Sequence, residues 1–219
     1  FMKFSEGDYL VAQRTFNQYL EKFENGIFKI DAVYYNAISC IKVGDTTNAV
    51  LMYTELIGVS NAEYRQSALS FLARKYYAED DYANSNIYYQ TLEKVASNNS
   101  LKREVVIRLM YGNERLKTGL AYNYAQQVIK LDKTDDWLMS KAKIIIARDE
   151  FSAGNYAKSK TTFEKVVELS DYDEGAEAKY YLAYLTYLDD SLALSEKMIF
   201  ELAESYTSDY FIAKAFILL

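Results

Sequence analysis

Adjacent aspartates are the side chains in this sequence best suited to acid–base work. They occur as Asp80-Asp81, Asp135-Asp136 and Asp189-Asp190. Two carboxylates in contact can divide the roles of acid and base between them. Each pair, however, falls at a turn or a helix start. There an aspartate accepts a hydrogen bond from the first free amides and meets the positive end of the helix, so capping is the expected role. The chain has no histidine, which removes the commonest general base and metal ligand. Its single cysteine, Cys40, lies among Ile38, Ile41 and Val43 and reads as a small core residue. One cysteine forms no intrachain disulfide framework and no multi-cysteine metal site. The eight glycines fall mostly singly at turns, and none build a phosphate loop. The sequence therefore predicts no catalytic residues, no metal and no cofactor. It predicts a protein that is not an enzyme.

Composition points to a chain built of helices. Of 219 residues half are apolar, none is proline and 22 are tyrosine. A chain of this length would carry roughly ten prolines at the usual ~5%. Long helices joined by short Gly, Asn and Asp turns dispense with them. Tyrosine rings wedge helices together while their hydroxyls still reach water or a partner. With 31 acidic and 25 basic residues the net charge is -6 and the cations are scattered. Nucleic acid, bound through clustered Lys and Arg, is not the expected partner. No apolar run approaches the ~20 residues of a membrane span. The longest, Phe211 to Leu219, is broken by Lys214.

A figure recurs along the whole chain. It reads Gly7-Asp8-Tyr9, Ala12, Phe16, and then Gly44-Asp45-Thr46, Ala49, Tyr53. It returns as Asp80-Asp81-Tyr82, Ser85, Tyr89, as Gly154-Asn155-Tyr156, Ser159, Phe163, and in worn form as Asp190-Ser191-Leu192, Ser195, Ile199. The small anchors Ala12, Ala49, Ser85, Ala121, Ser159 and Ser195 are spaced roughly 36 to 38 residues apart, the period of a helix–turn–helix repeat. Glycine suits the left-handed end of one helix, and aspartate caps the next. The small anchor marks a close helix approach, and the aromatic one turn later completes a core stripe. Twelve residues before an anchor lies a second small position: Ala37, Ala73, Ala147 and Ala183. The fourth repeat has Leu109 there, Ala125 in place of the aromatic and its turn at Thr118-Gly119, which predicts a local irregularity and a shorter second helix.

This pattern resembles the tetratricopeptide repeat family over essentially the whole chain, though it lacks that family's proline after the second helix. The resemblance implies an all-α, right-handed superhelical solenoid of antiparallel helix pairs, a single domain over 1–219 with about six repeats. Phe1 to Phe4 read as the end of a first helix and Tyr210 to Leu219 as the start of a further pair, as in a piece of a longer array. The phrases Gly7-Asp8-Tyr9, Phe16, Leu20, Phe23-Glu24-Asn25-Gly26 and Glu174-Gly175-Ala176-Glu177-Ala178-Lys179-Tyr180 are similar to a bacterial-envelope subgroup. That subgroup includes the lipoprotein arm of the outer-membrane β-barrel assembly machinery and the Tol-associated periplasmic coordinator.

In this family the first helices line a concave face that binds peptides. Counting from the small positions, the resemblance places Tyr34, Ile38, Arg74, Tyr77, Met110, Asn113, Arg148, Phe151, Tyr180, Tyr184 and Tyr187 on that face. Aromatics, Met and Arg are the composition of protein interfaces. The lysine–asparagine clamp some members use for a C-terminal carboxylate is absent, since Tyr34, Ser70, Ile38 and Arg74 hold those places. The expected ligand is an extended or helical protein segment with apolar anchors and an acidic side chain against Arg74 or Arg148. The expected function is a protein-binding scaffold, periplasmic or outer-membrane-associated by resemblance. The alternatives are a cytoplasmic adaptor, a self-assembling homo-oligomer, or an accessory solenoid of an envelope enzyme.

Overall fold

The computed structural model describes residues 1–219 and contains thirteen α-helices and no strand. In order they are α1 (Met2–Ser5), α2 (Tyr9–Lys22), α3 (Lys29–Val43), α4 (Thr46–Leu56), α5 (Ala62–Ala78), α6 (Tyr82–Glu93), α7 (Asn99–Arg115), α8 (Leu120–Val128), α9 (Asp136–Ser152), α10 (Tyr156–Leu169), α11 (Asp173–Leu188), α12 (Leu192–Ser205) and α13 (Asp209–Phe216). Short connections force consecutive helices to lie antiparallel, which gives the expected all-helical repeat fold. The chain divides into two compact units, Phe1–Val105 and Val106–Leu219, with the division inside α7.

Six corners between first and second helices close in the same way. The amide of Asp8 bonds the Lys3 carbonyl, Asp45 that of Cys40, Asp81 that of Tyr76, Thr118 that of Asn113, Asn155 that of Glu150 and Ser191 that of Thr186. This is the longer bond of a Schellman ending, which needs a left-handed residue just before it. Gly7, Gly44 and Gly154 supply that conformation at φ 81°, 83° and 77°, and Asp80, Lys117 and Asp190 adopt it at φ 57°, 53° and 57°. Asp8, Asp45 and Asp81 then cap the second helix by accepting from the amides of Val11, Asn48 and Asn84. Asp135 caps α9 from Leu138, whereas Asp189 and Asp190 end α11 without capping the next helix, where Ser191 stands.

The fourth repeat requires a correction. Its left-handed residue is Lys117, in register with the other corners, and Gly119 is ordinary right-handed backbone. The turn has not shifted. The irregularity lies in the second helix, α8, which is nine residues long.

In the first unit α2 packs on α3, α3 on α4, α4 on α5 and α5 on α6. Val33, Ala37, Cys40, Ala49, Tyr53, Leu56, Ala68 and Leu72 form its main core, so Cys40 is a core residue. In the second unit α8 to α13 pack pairwise in order, and α11 also touches α9 and α13, so these first helices lie side by side. Its main core joins Ala121, Ala125 and Val128 to Ala142, Ala147, Phe163 and Val166. All six small anchors are buried. Each large apolar side chain buried beside them contributes about 1.5–3 kcal/mol.

Candidate binding surface on the first helices

In the first unit, α3, α5 and the start of α7 border an open hollow of ≈ 910 Å³. Tyr34, Tyr53, Phe71 and Leu101 give it apolar walls, and Ser67, Ser70, Gln66 and Asn98 give it neutral polar ones. The walls are held from behind. Tyr34 stacks on Tyr64 with centroids 3.9 Å apart, and the Tyr64 hydroxyl donates to Asp31 at 2.7 Å. Tyr53 stacks on Phe71 at 4.6 Å. Such ring pairs leave few rotamers open, so the surface is pre-organised.

Arg74 lines the same hollow, but its charge is already met. Its Nε and Nη2 donate to the two Glu104 carboxylate oxygens, each at 2.6 Å, and the Tyr89 hydroxyl donates to Glu104 at 3.2 Å. The bond to Glu104 pushes the guanidinium pKa up. Lys75, on the rim, pairs with Glu79 at 2.6 Å and lies 4.4 Å over the Tyr76 ring.

The second unit repeats the theme. Arg148 on α9 is gripped from both sides: Nη1 donates to Glu114 of α7 at 2.8 Å, and Nε and Nη2 donate to Glu177 of α11. Burial acts to lower the Arg148 pKa, but the two carboxylates reverse this and the net direction is upward. A hollow of ≈ 600 Å³ lies beside it, lined by Lys117, Tyr122, Ile145, Asp149 and Tyr181 among others. Further along, Phe151 packs on Tyr181 at 4.9 Å and on Tyr184 at 5.9 Å.

The expected partner-facing residues thus separate into groups. Tyr34 and Arg74 come together in the first hollow and Arg148 lines the second. Ile38, Tyr77, Phe151 and Tyr184 are half-buried, and Tyr187 is exposed near the end of α11.

Three residues leave the expected face. Met110 is core, in the cluster that holds Ala121 and Ala125, where alanine stands in place of an aromatic ring. Asn113 is buried because its amide closes the fourth corner: it donates to the Leu109 carbonyl and accepts from the Thr118 hydroxyl, both at 2.7 Å. Tyr180 is covered by α13, with Phe211 at 6.2 Å and the Lys214 ammonium 4.5 Å over its ring.

The expectation that Arg74 and Arg148 await an acidic ligand is also corrected, because glutamates of neighbouring first helices occupy them. Sequence reading passed over Glu104, Glu114 and Glu177. Their signal is an offset somewhat short of one repeat, 30 residues from Arg74 to Glu104, 34 from Glu114 to Arg148 and 29 from Arg148 to Glu177.

No three His, Cys, Asp or Glu side chains converge on a metal site. No helix is long and apolar enough to cross a membrane.

No protein-family model matches this sequence. No curated protein matches it either. Solved structures do. YrrB, described as a TPR protein with an unusual peptide-binding site, superposes with a TM-score of 0.60 at 15% identity, over 91% of this chain and 96% of its own. The apo form of the quorum sensor NprR from B. thuringiensis gives 0.52 at 11% identity, over 98% of this chain and 65% of its own. At such identities the likeness is one of fold, and the fold is that of a tetratricopeptide-type helical repeat.

Proposed function

We propose that this chain is a non-catalytic scaffold that holds a peptide segment of a partner protein against its first helices. The observation that carries this reading is the open hollow of ≈ 910 Å³ on α3, α5 and α7, with rigid aromatic walls and hydroxyl and amide groups between them. Its two cations are already met, Arg74 by Glu104 and Lys75 by Glu79. The segment is therefore held by apolar side chains seated against Tyr34, Phe71 and Leu101 and by hydrogen bonds to Ser67 and Ser70, rather than by an acidic anchor. The likeness to YrrB, a protein described as having a peptide-binding site, supports the same class of role. A place in a bacterial envelope belongs to the proposal too. It is carried by the sequence phrases alone, and fractionation of the native cell tests it.

The decisive experiment is photo-crosslinking in the native organism with the probe at Ser70, inside the hollow, and a control probe at Lys160, which is exposed on α10. A discrete adduct from Ser70 only, lost when Tyr34 is changed to Arg in the same chain, is the expected result. Equal labelling from both positions, or none from Ser70, would remove the hollow as the working surface.

A further inference from the structure

The starting ends of α9 and α11, together with the α12–α13 connection, frame a separate hollow of ≈ 310 Å³. It lies about two turns before Arg148 on α9. Two large aromatic side chains stand at its mouth: Trp137, 56% exposed, and Tyr172, 75% exposed. Trp and Tyr left this open are costly to keep in water and are the residues most enriched among interface hot spots.

One lining residue, Tyr206, is seated by a close approach behind the hollow. A Cβ on Gly175 would lie 1.9 Å from the Ser170 carbonyl oxygen and 2.8 Å from the Tyr206 ring, so only glycine lets α11 begin against these groups. The Tyr206 hydroxyl, in turn, donates to the same Ser170 carbonyl at 3.4 Å.

The charge of this hollow is one-sided. Asp171, Asp173 and Glu174 face a single cation, Lys141. Lys141 is taken by Glu174, and its ammonium also lies 5.7 Å from the Trp137 ring centroid. Asp171 and Asp173 form no ion pair. The positive end of α11 is already countered by Asp173 and Glu174 in its first turn, so the site does not call for an anion.

We propose that this hollow is a second docking site, which takes an arginine or lysine side chain of a basic partner segment. The cation lies over an exposed ring face, as Lys141 already does at Trp137, and the two unpaired aspartates neutralise it. This inference stands apart from the first-helix hollow, which is in the other unit.

Trp137 is the chain's one tryptophan, so the site carries its own reporter. The experiment titrates a hexa-arginine peptide into the whole chain at low salt and follows tryptophan fluorescence. A saturable change is expected, with Kd raised about tenfold in D171N/D173N, the loss expected of two charge contacts. E21Q/E24Q removes the same charge from exposed positions in the first unit and is expected to leave Kd within about twofold. Circular dichroism melts confirm that both variants fold. Equal weakening in the two variants, no saturable change, or an equal response to hexaglutamate would each overturn the proposal.

Discussion

The Ser85 hydroxyl donates to the Ala73 carbonyl at 3.0 Å, and Ser195 repeats the bond to Ala183 at 2.9 Å. In both, the small anchor of a second helix is tied to the small residue of its first helix, twelve positions earlier. Ser85→Ala keeps the close approach and loses one bond, so a cost of about 1 kcal/mol is expected. Ser85→Leu puts three carbons where the hydroxyl sat in a fully buried contact and should cost about 3 kcal/mol or more. Urea unfolding of both variants checks the order. Similar losses from Ala and Leu would mean that the hydroxyl, and not the space, is what matters.

The two arginines make a second contrast. Arg148 is 39% exposed and pairs with Glu177, whose side chain is 7% exposed, while Arg74 is 57% exposed against a Glu104 at 27%. Arg148→Met strands a buried carboxylate and should cost about 2–3 kcal/mol, below the full value for a buried pair because water reaches the guanidinium. Arg74→Met should cost no more than about 1 kcal/mol. R148M/E177L should recover most of the first loss, since the buried carboxylate is then gone and the Glu114 left without its partner is 31% exposed to water. Equal urea midpoints for the two single variants would sink this reading.

At the corners the backbone itself decides. Gly44 has φ 83° and nothing within 4 Å of a built Cβ, so Gly44→Ala meets only conformational strain, about 1 kcal/mol. Lys117 bears that strain already at φ 53°, and Lys117→Gly should raise stability by about 0.5 kcal/mol after the larger freedom of glycine in the unfolded chain is set against it. Gly175→Ala differs in kind, because its Cβ would strike backbone 1.9 Å away, and should cost well over about 3 kcal/mol. Thermal melts should place Lys117→Gly above the parent, Gly44→Ala below it and Gly175→Ala lowest.

These corners also show what was legible in the sequence. Gly-Asp at Gly44-Asp45 and Asp-Asp at Asp80-Asp81 announce a helix end followed by a cap, because few residue types satisfy both demands. The buried anchors follow from period alone. Lys117 gives no such announcement, since lysine has no preference for left-handed backbone. The neighbouring Gly119 drew the expected turn to itself. The binding face was legible as a face but less so as a surface. Counting from the small positions places Met110 in one row with Arg74 and Arg148 and Asn113 one turn further on, yet the structure buries Met110 in the core beside α8 and ties Asn113 to Thr118. The glutamates that hold the two arginines are set by how neighbouring first helices cross, which no local pattern encodes.

Alkaline pH should unfold this chain through its tyrosines. Burial pushes up the pKa of Tyr53, Tyr181 and Tyr206, and the bond from Tyr64 to Asp31 pushes up that of Tyr64. A phenol whose pKa is higher folded than unfolded holds its proton more tightly in the native state. Its stabilisation is therefore complete below the unfolded value of about 10 and is lost as pH rises through the folded one. The carboxylates run the other way: the Asn48 side chain and backbone hold Asp45 low, and those of Asn84 hold Asp81 low. Their stabilisation is present above the ordinary carboxylate range and is lost as pH falls beneath it. Stability should thus be flat across neutral pH and fall above about pH 10. Absorbance of the ionised phenol near 295 nm, followed together with helical ellipticity, separates the classes. The exposed tyrosines should ionise first with helix intact, and the remainder only as helix is lost. Tyr64→Phe should narrow the gap, because it removes one phenol that is held protonated. A single ionisation of all 22 tyrosines with ellipticity unchanged would show that the rings are not held as described.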